Sequence, residues 1–123
     1  MKQHSTRFLS LVAQTKPRIK EISAAELKKK LDMHHPFHLI DVREESEWAN
    51  GHITQAIHKS KGVLERDIEK DVADAAATLV VYCSGGFRSA LAADSLQKMG
   101  YTNVYSLAGG STGWQDAGYS LEK

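Results

Sequence analysis

Cysteine is nearly absent from this sequence: Cys83 is the sole example in 123 residues. A lone thiol excludes an internal disulfide framework, and with it any structural zinc site built on two or more thiolates. Long apolar runs are missing too, and none approaches the roughly eighteen residues of a membrane helix. Neither sign of charge dominates: 16 Lys and Arg stand against 15 Asp and Glu, a formal net charge of +1. No global field therefore singles out nucleic acid or a membrane as a partner. What is there is a composition 41% hydrophobic and 25% charged, ordinary for one globular domain with a real core.

Acidic residues are missing before Glu21, whereas Lys2, Arg7, Lys16, Arg18 and Lys20 are basic. Phe8, Leu11 and Val12 share one face of a short helix. Such a start suits either a targeting or membrane-touching segment, or a helix that is docked on the domain or simply frayed. The apolar patch is only a few residues long, which favours the docked or frayed helix. Residues 1–17 thus read as an N-terminal arm, a short helix, and residues 18–123 as the domain. Phe8 to Ala13 is too short for a secretory signal and is broken by Ser10. One reduced thiol without an export signal makes the cytoplasm the expected location.

Beyond the arm, short apolar runs alternate with helix-like segments, the pattern of an α/β domain. Ile19–Ile22 reads as a first strand, and Ser23 with Glu26 forms a capping box for a helix through about Leu31. Pro36 precedes a buried strand, His38–Val42. Glu44–Asn50 reads as a short helix, Ile53–His58 as a brief strand, and Gly62 to about Ala73 as a further helix. Thr78–Tyr82 is β-branched, aromatic and uncharged, the strongest strand of the chain. Ser89–Met99 is the next helix, Asn103–Ser106 the last strand and Gly110–Ala117 the last helix. The expected fold class is a small, mainly parallel β-sheet flanked by helices on both faces.

Cys83 stands where the strongest strand meets a glycine loop and a helix, Cys83-Ser84-Gly85-Gly86-Phe87-Arg88-Ser89. Ligands of open parallel sheets gather beyond the carboxyl ends of the strands. Gly85 and Gly86 are free to take φ > 0, which lets several N–H groups converge on one point. A helix starting near Arg88 adds unpaired N–H groups and the positive end of its dipole. Arg88 adds a forked cation suited to an oxyanion. Together these groups favour a thiolate on Cys83 and a small anion beside it. The alternative, a buried structural cysteine beside an ordinary glycine turn, leaves the clustering of all these features unexplained.

The loop from Cys83 to Ser89 resembles the active-site loop of the rhodanese family. Asp41-Val42-Arg43, Glu47-Trp48 and Gly51-His52-Ile53 resemble that family's upstream motif. Leu107-Ala108-Gly109-Gly110 with Trp114 resembles its C-terminal motif. The resemblance runs over roughly residues 18–121, and it departs at Thr54 and Gln55, where many members carry Pro-Gly. Four residues separate Cys83 from Arg88, one fewer than in the related dual-specificity phosphatases and arsenate reductases. Those enzymes commonly have His before the cysteine, where this chain has Tyr82. The shorter loop encloses a bowl sized for sulfur rather than for a phosphoryl group.

The resemblance implies a rhodanese-like fold and a thiosulfate sulfurtransferase working by two-step transfer through a persulfide on Cys83. It implies as donor a small sulfur anion, thiosulfate or a persulfide. The implied acceptor is cyanide, or a thiol or dithiol, including one on a protein. No cofactor, metal, nucleic acid or membrane is implied. Ser84, Gly85, Gly86, Phe87, Arg88 and Ser89 are the expected substrate-binding residues, with Ser84 and Phe87 on the rim. Arg88 has two open roles, facing the pocket or bracing the loop from behind. Asp41 and Arg43 are either supports of the loop or an ordinary structural pair, the latter favoured. The rival functions are a cysteine-dependent phosphatase and a non-catalytic interaction module. His34, His35 and His38 read as a solvated loop, since Pro36 interrupts metal-ligand spacing. Lys28 to Lys30 read as a solvated helix face, and His52 as a turn or packing residue. Lys59, Lys61 and Arg66 are either pocket-mouth cations or solvated surface. Trp48 and Trp114 are expected core anchors.

Overall fold

The computed structural model describes residues 3–123; Met1 and Lys2, the latter one of the basic residues of the arm, lie outside the described residues. Helix α1 (Thr6–Thr15) runs through a short 3-10 turn (Lys16–Arg18) into strand β1 (Lys20–Ile22). There follow α2 (Ala24–Asp32), β2 (His38–Asp41), α3 (Glu45–Ala49), β3 (Ile57–His58) and α4 (Lys61–Asp71). The chain continues through β4 (Thr78–Tyr82), α5 (Phe87–Lys98), β5 (Asn103–Leu107) and α6 (Gly110–Asp116). The strands form one sheet in the order β1-β5-β4-β2-β3, and every pairing is parallel.

Parallel neighbours need crossovers, which the helices supply, so both faces of the sheet are covered. The two-residue period of β4 divides its side chains between these faces. Leu79, Val81 and Cys83 join Ile40, Leu64, Ile68 and Leu96 in the layer under α4 and α5. Val80 and Tyr82 join Leu27, Leu31, Leu39, Leu107 and Trp114 in the layer under α2 and α6. Cys83 therefore belongs to the α5 side of the sheet. The capping box at α2 is formed, with Glu26 N donating to Ser23 Oγ at 3.1 Å and Ser23 N to Glu26 Oε1 at 3.0 Å.

Three local readings need correction. The strand expected over Ile53–His58 shrinks to Ile57–His58. Ile53 instead caps a turn, accepting from Ala56 N at 3.2 Å, and its own N–H donates to Tyr82 Oη at 3.0 Å. Gln55 in that turn takes φ +69°, the left-handed conformation that glycine adopts without strain. Helix α5 begins at Phe87, two residues before the expected start, because Gly86 at φ +94° turns the chain directly into it. Trp48 is half-buried rather than a core anchor: it stacks on His52 at 3.7 Å between ring centroids, whereas Trp114 is fully packed.

Candidate active site

The sheet order creates a crevice at the carboxyl ends of β2 and β4, which are neighbours. The chain leaving β2 turns through α3 towards β3, at one edge, while the chain leaving β4 turns through α5 towards β5, on the other side. Loops departing in opposite directions leave a gap between them, the usual ligand position in such sheets. Cys83 is the first residue beyond β4 and sits in that gap, 1% exposed.

The sulfur is ringed by donors. Gly86 N lies 3.1 Å from Cys83 Sγ and Ser89 N lies 3.4 Å away. Ser89 Oγ is 3.5 Å from the sulfur and 2.8 Å from Ser106 Oγ on β5, both hydroxyls being wholly buried. The N–H groups of Ser84 and Gly85 have no acceptor among the described residues, nor do those of Phe87 and Arg88 in the first turn of α5. Helices leave their first N–H groups unpaired, and here the loop adds two more around the same bowl.

What holds the loop in this form is the start of α6. Ser111 N donates to Cys83 O at 2.8 Å and Thr112 N to Ser84 O at 3.0 Å. A trans peptide carries its N–H opposite its C=O, so tethering these two carbonyls to α6 turns the N–H groups of Ser84 and Gly85 the other way. The approach is close because Gly110, at φ +58°, has no side chain: a Cβ there would lie 2.4 Å from Cys83 O and 2.5 Å from Ser84 O. Gly86 supplies the left-handed residue of the loop, whereas Gly85 does not take φ > 0 and has open space around it. Of the two glycines free to take φ > 0, the loop uses Gly86.

Arg88 contacts the loop and also lines the cleft. Its Nη1 and Nη2 form a fork with Glu47 Oε1 and Oε2 at 2.7 and 3.0 Å, and Nη2 also donates to Ser84 Oγ at 3.0 Å. Hydrogen bonding from this guanidinium holds the Glu47 carboxyl well below its usual range, at about 2. Glu47 belongs to α3, so the pair ties the two diverging loops across the crevice. Asp41 and Arg43 form a second, deeper pair. Arg43 Nη2 lies 2.7 Å from Asp41 Oδ2 and also 2.7 Å from the carbonyl of Gly51. Their support goes to the Gly51 turn rather than to the Cys83 loop, the contacts of a structural pair.

The bowl opens into a cleft of about 790 Å³. Ser84, Gly85, Phe87 and Arg88 line one side, and Gly109, Thr112, Gly113 and Asp116 the other. The remaining wall comes from the arm, through His4 and Phe8. The ring of His4 lies 4.9 Å from that of Phe87 and 5.2 Å from that of Phe8. Phe87 is thus both a rim residue and the seat of the arm. Lys59 is paired with Asp71 and Arg66 with Asp67, and neither lines the cleft. His34, His35 and His38 are exposed, and no group of three or more metal-ligating side chains occurs among the described residues. No helix among the described residues is long and apolar enough to cross a membrane.

Sequence reasoning did not place Glu47, Ser106, Gly110, His4 or Phe8 at this site. Glu47 and Gly110 lay within the segments resembling the rhodanese motifs, but a buried serine on a strand and an aromatic on an appended helix carry no local signal.

Comparison with known proteins agrees with this geometry. The Rhodanese-like domain family matches residues 23–117. YtwF of Bacillus subtilis strain 168, named as a candidate sulfurtransferase, is 37% identical over 97 residues, 79% of this chain and 91% of that protein. The thiosulfate sulfurtransferase GlpE of Coxiella burnetii is 36% identical over 97 residues, 79% of this chain and 85% of that one. Among solved structures, RPA3614 of Rhodopseudomonas palustris, described as of unknown function and a possible tyrosine phosphatase, superposes with a TM-score of 0.87. It is 28% identical and covers 99% of both chains.

Proposed function

The chain belongs to the Rhodanese-like domain family, and on that footing we propose that it is a sulfurtransferase that carries sulfane sulfur as a persulfide on Cys83. The observation that carries this reading is the convergence of donors on one sulfur. Gly86 N and Ser89 N address Cys83 Sγ itself, while four further N–H groups stand around the bowl without an acceptor among the described residues. An added outer sulfur would meet those free groups. Preorganised donors of this kind contribute about 3–4 kcal/mol each in oxyanion sites. The names of the relatives YtwF and GlpE support the same chemistry.

In the first step the Cys83 thiolate attacks the outer sulfur of the donor. With thiosulfate, the sulfur–sulfur bond of the donor breaks, sulfite leaves with the electron pair, and Cys83 becomes a persulfide anion. In the second step a nucleophile takes the outer sulfur and restores the thiolate. Cyanide would leave as thiocyanate, and a thiol or dithiol as a persulfide. Two displacements at sulfur replace one direct reaction between two anions. Arg88 holds the bowl open through Ser84 and Glu47, while Ser89 Oγ, which accepts from the thiol at 3.5 Å, would donate to the sulfur once the thiol is ionised. We place the activity in the cytoplasm, where a single reduced thiol is maintained.

Intact mass before and after thiosulfate tests the reading. Gain of one sulfur atom, reversed by cyanide and missing in Cys83→Ala, is the expected result. No adduct from thiosulfate or from an organic persulfide would overturn it. Turnover of an aryl phosphate would point to the phosphatase chemistry suggested for RPA3614, against which stand the four-residue spacing and the engagement of Arg88 by Glu47.

A further inference from the structure

The family match begins at residue 23, yet two residues of the arm before it, His4 and Phe8, line the cleft over Cys83. The arm is held there by several ties. α1 packs against α5. Arg18 forks onto Asp94 at 3.2 and 3.3 Å, and Gln97 Nε2 donates to Arg18 O at 2.8 Å. Phe8 and His4 then close against Phe87, the rings of Phe8 and Phe87 lying 6.3 Å apart.

This wall changes what the cleft suits. Its volume of about 790 Å³ falls in the range of about 300–1,000 Å³ that houses multi-atom organic ligands, far more than thiosulfate fills. Its charge points the same way. Among the described residues Arg88 is the one Lys or Arg in the lining and is paired with Glu47, while Asp116 contributes a carboxylate. Lys16 reaches over Phe87 at 5.9 Å but is paired with Glu21. A dianion gains little from such surroundings. A monoanion that places its terminal sulfur in the bowl and an apolar body against Phe8 and Phe87 matches both the charge and the surface.

We propose that the arm makes Phe8 and His4 specificity-determining residues, which direct the site towards donors whose sulfane sulfur is borne on an apolar organic body. The inference rests on the sulfurtransferase reading. Two donor heads share this chemistry. A thiosulfonate, R–SO2–S⁻, transfers its sulfur to the Cys83 thiolate and leaves as the sulfinate R–SO2⁻. An organic persulfide, R–S–S⁻, does the same and leaves as the thiolate R–S⁻. In both, the donor's bond to its terminal sulfur breaks as the Cys83 persulfide forms, and the leaving group keeps the electron pair.

The test holds the head constant and changes the body. kcat/KM is measured with thiosulfate, then with methanethiosulfonate against benzenethiosulfonate, and with methyl persulfide against benzyl persulfide. The full chain should favour the ring-bearing donor by roughly tenfold or more, the scale on which apolar pockets discriminate, and the head with the larger ratio identifies the donor class. Phe8→Ala should bring that ratio towards one, the loss falling on the ring-bearing donor more than on its methyl counterpart. Should Phe8→Ala lose thiosulfate turnover as well, Phe8→Leu and His4→Ala decide by the same ratio. A ratio near one in the unaltered chain with both heads, or a preference that survives all the variants, overturns the proposal. Failure of the underlying reading looks different: none of the five donors would then load a sulfur onto Cys83.

Discussion

Replacing Gly110 by alanine should do more damage than its one added methyl group suggests. The new Cβ would stand 2.4 Å from Cys83 O, where ordinary contact begins at 3.4 Å, so the carbonyl must retreat by roughly 1 Å. Both nearest groups are backbone, which cannot rotate aside. The φ of +58° costs an alanine about 1 kcal/mol over glycine. Forced displacement in a packed site costs about 1–3 kcal/mol more. The total, about 2–4 kcal/mol, should lower the melting temperature by roughly 8–20 °C for a domain of this size. The same shift pulls Cys83 O and Ser84 O off Ser111 N and Thr112 N, and a 1 Å misplacement in a reactive site costs about a hundredfold in rate. Thermal melting and persulfide formation with thiosulfate measure the two effects. Gly85→Ala is the control: nothing lies within 4 Å of a Cβ there and its φ is ordinary, so stability should change by less than about 0.5 kcal/mol. A Gly110→Ala protein that melts and reacts like the original would refute the claim that close approach of α6 sets the loop.

Three other outcomes follow from the ion pairs and hydroxyls. Arg43→Met leaves Asp41 buried without its partner and should cost about 3–5 kcal/mol in urea unfolding; a loss under 1 kcal/mol would deny the pair its structural role. Glu47→Gln should cost about 1–2 kcal/mol near neutrality, since the pair with Arg88 is partly exposed. Because folding lowers the Glu47 carboxyl from 4.5 to about 2, that contribution is complete above about pH 4.5 and disappears as pH falls towards 2. Melting curves of the two proteins should therefore converge in acid, and a constant gap would count against the pair. Ser89→Ala should slow persulfide formation about tenfold by removing a donor to the sulfur. Ser106→Ala, one bond further out, should slow it by less, and equal losses would point to packing rather than hydrogen bonding.

Much of the fold was legible because its signals are local. The β-branched run of β4, the Ser23–Glu26 box and Gly86 each dictate their own conformation. The boundaries that shifted were governed by partners elsewhere. Ile53 left its expected strand because Tyr82 Oη takes its N–H, and Arg88 could be assigned a role only once α3 had brought Glu47 alongside. The short apolar patch of the arm leaves docking and fraying both open, because its place beside Cys83 depends on α5, more than seventy residues later in the chain, and no sequence pattern encodes that meeting.

The position of β1 has a consequence for the order in which the protein is made. Its one neighbour in the sheet is β5, with Lys20 facing Tyr105. The arm before it rests on α5. β1 thus has no partner in the sheet until β5 has left the ribosome, roughly 4–20 s later at common elongation rates of about 5–20 residues per second. Within that interval β2, β3 and β4 are made and can pair with one another, while β1 waits for β5. This edge strand is the last of the sheet to find its place, and the arm joined to it completes the aromatic wall above the sulfur.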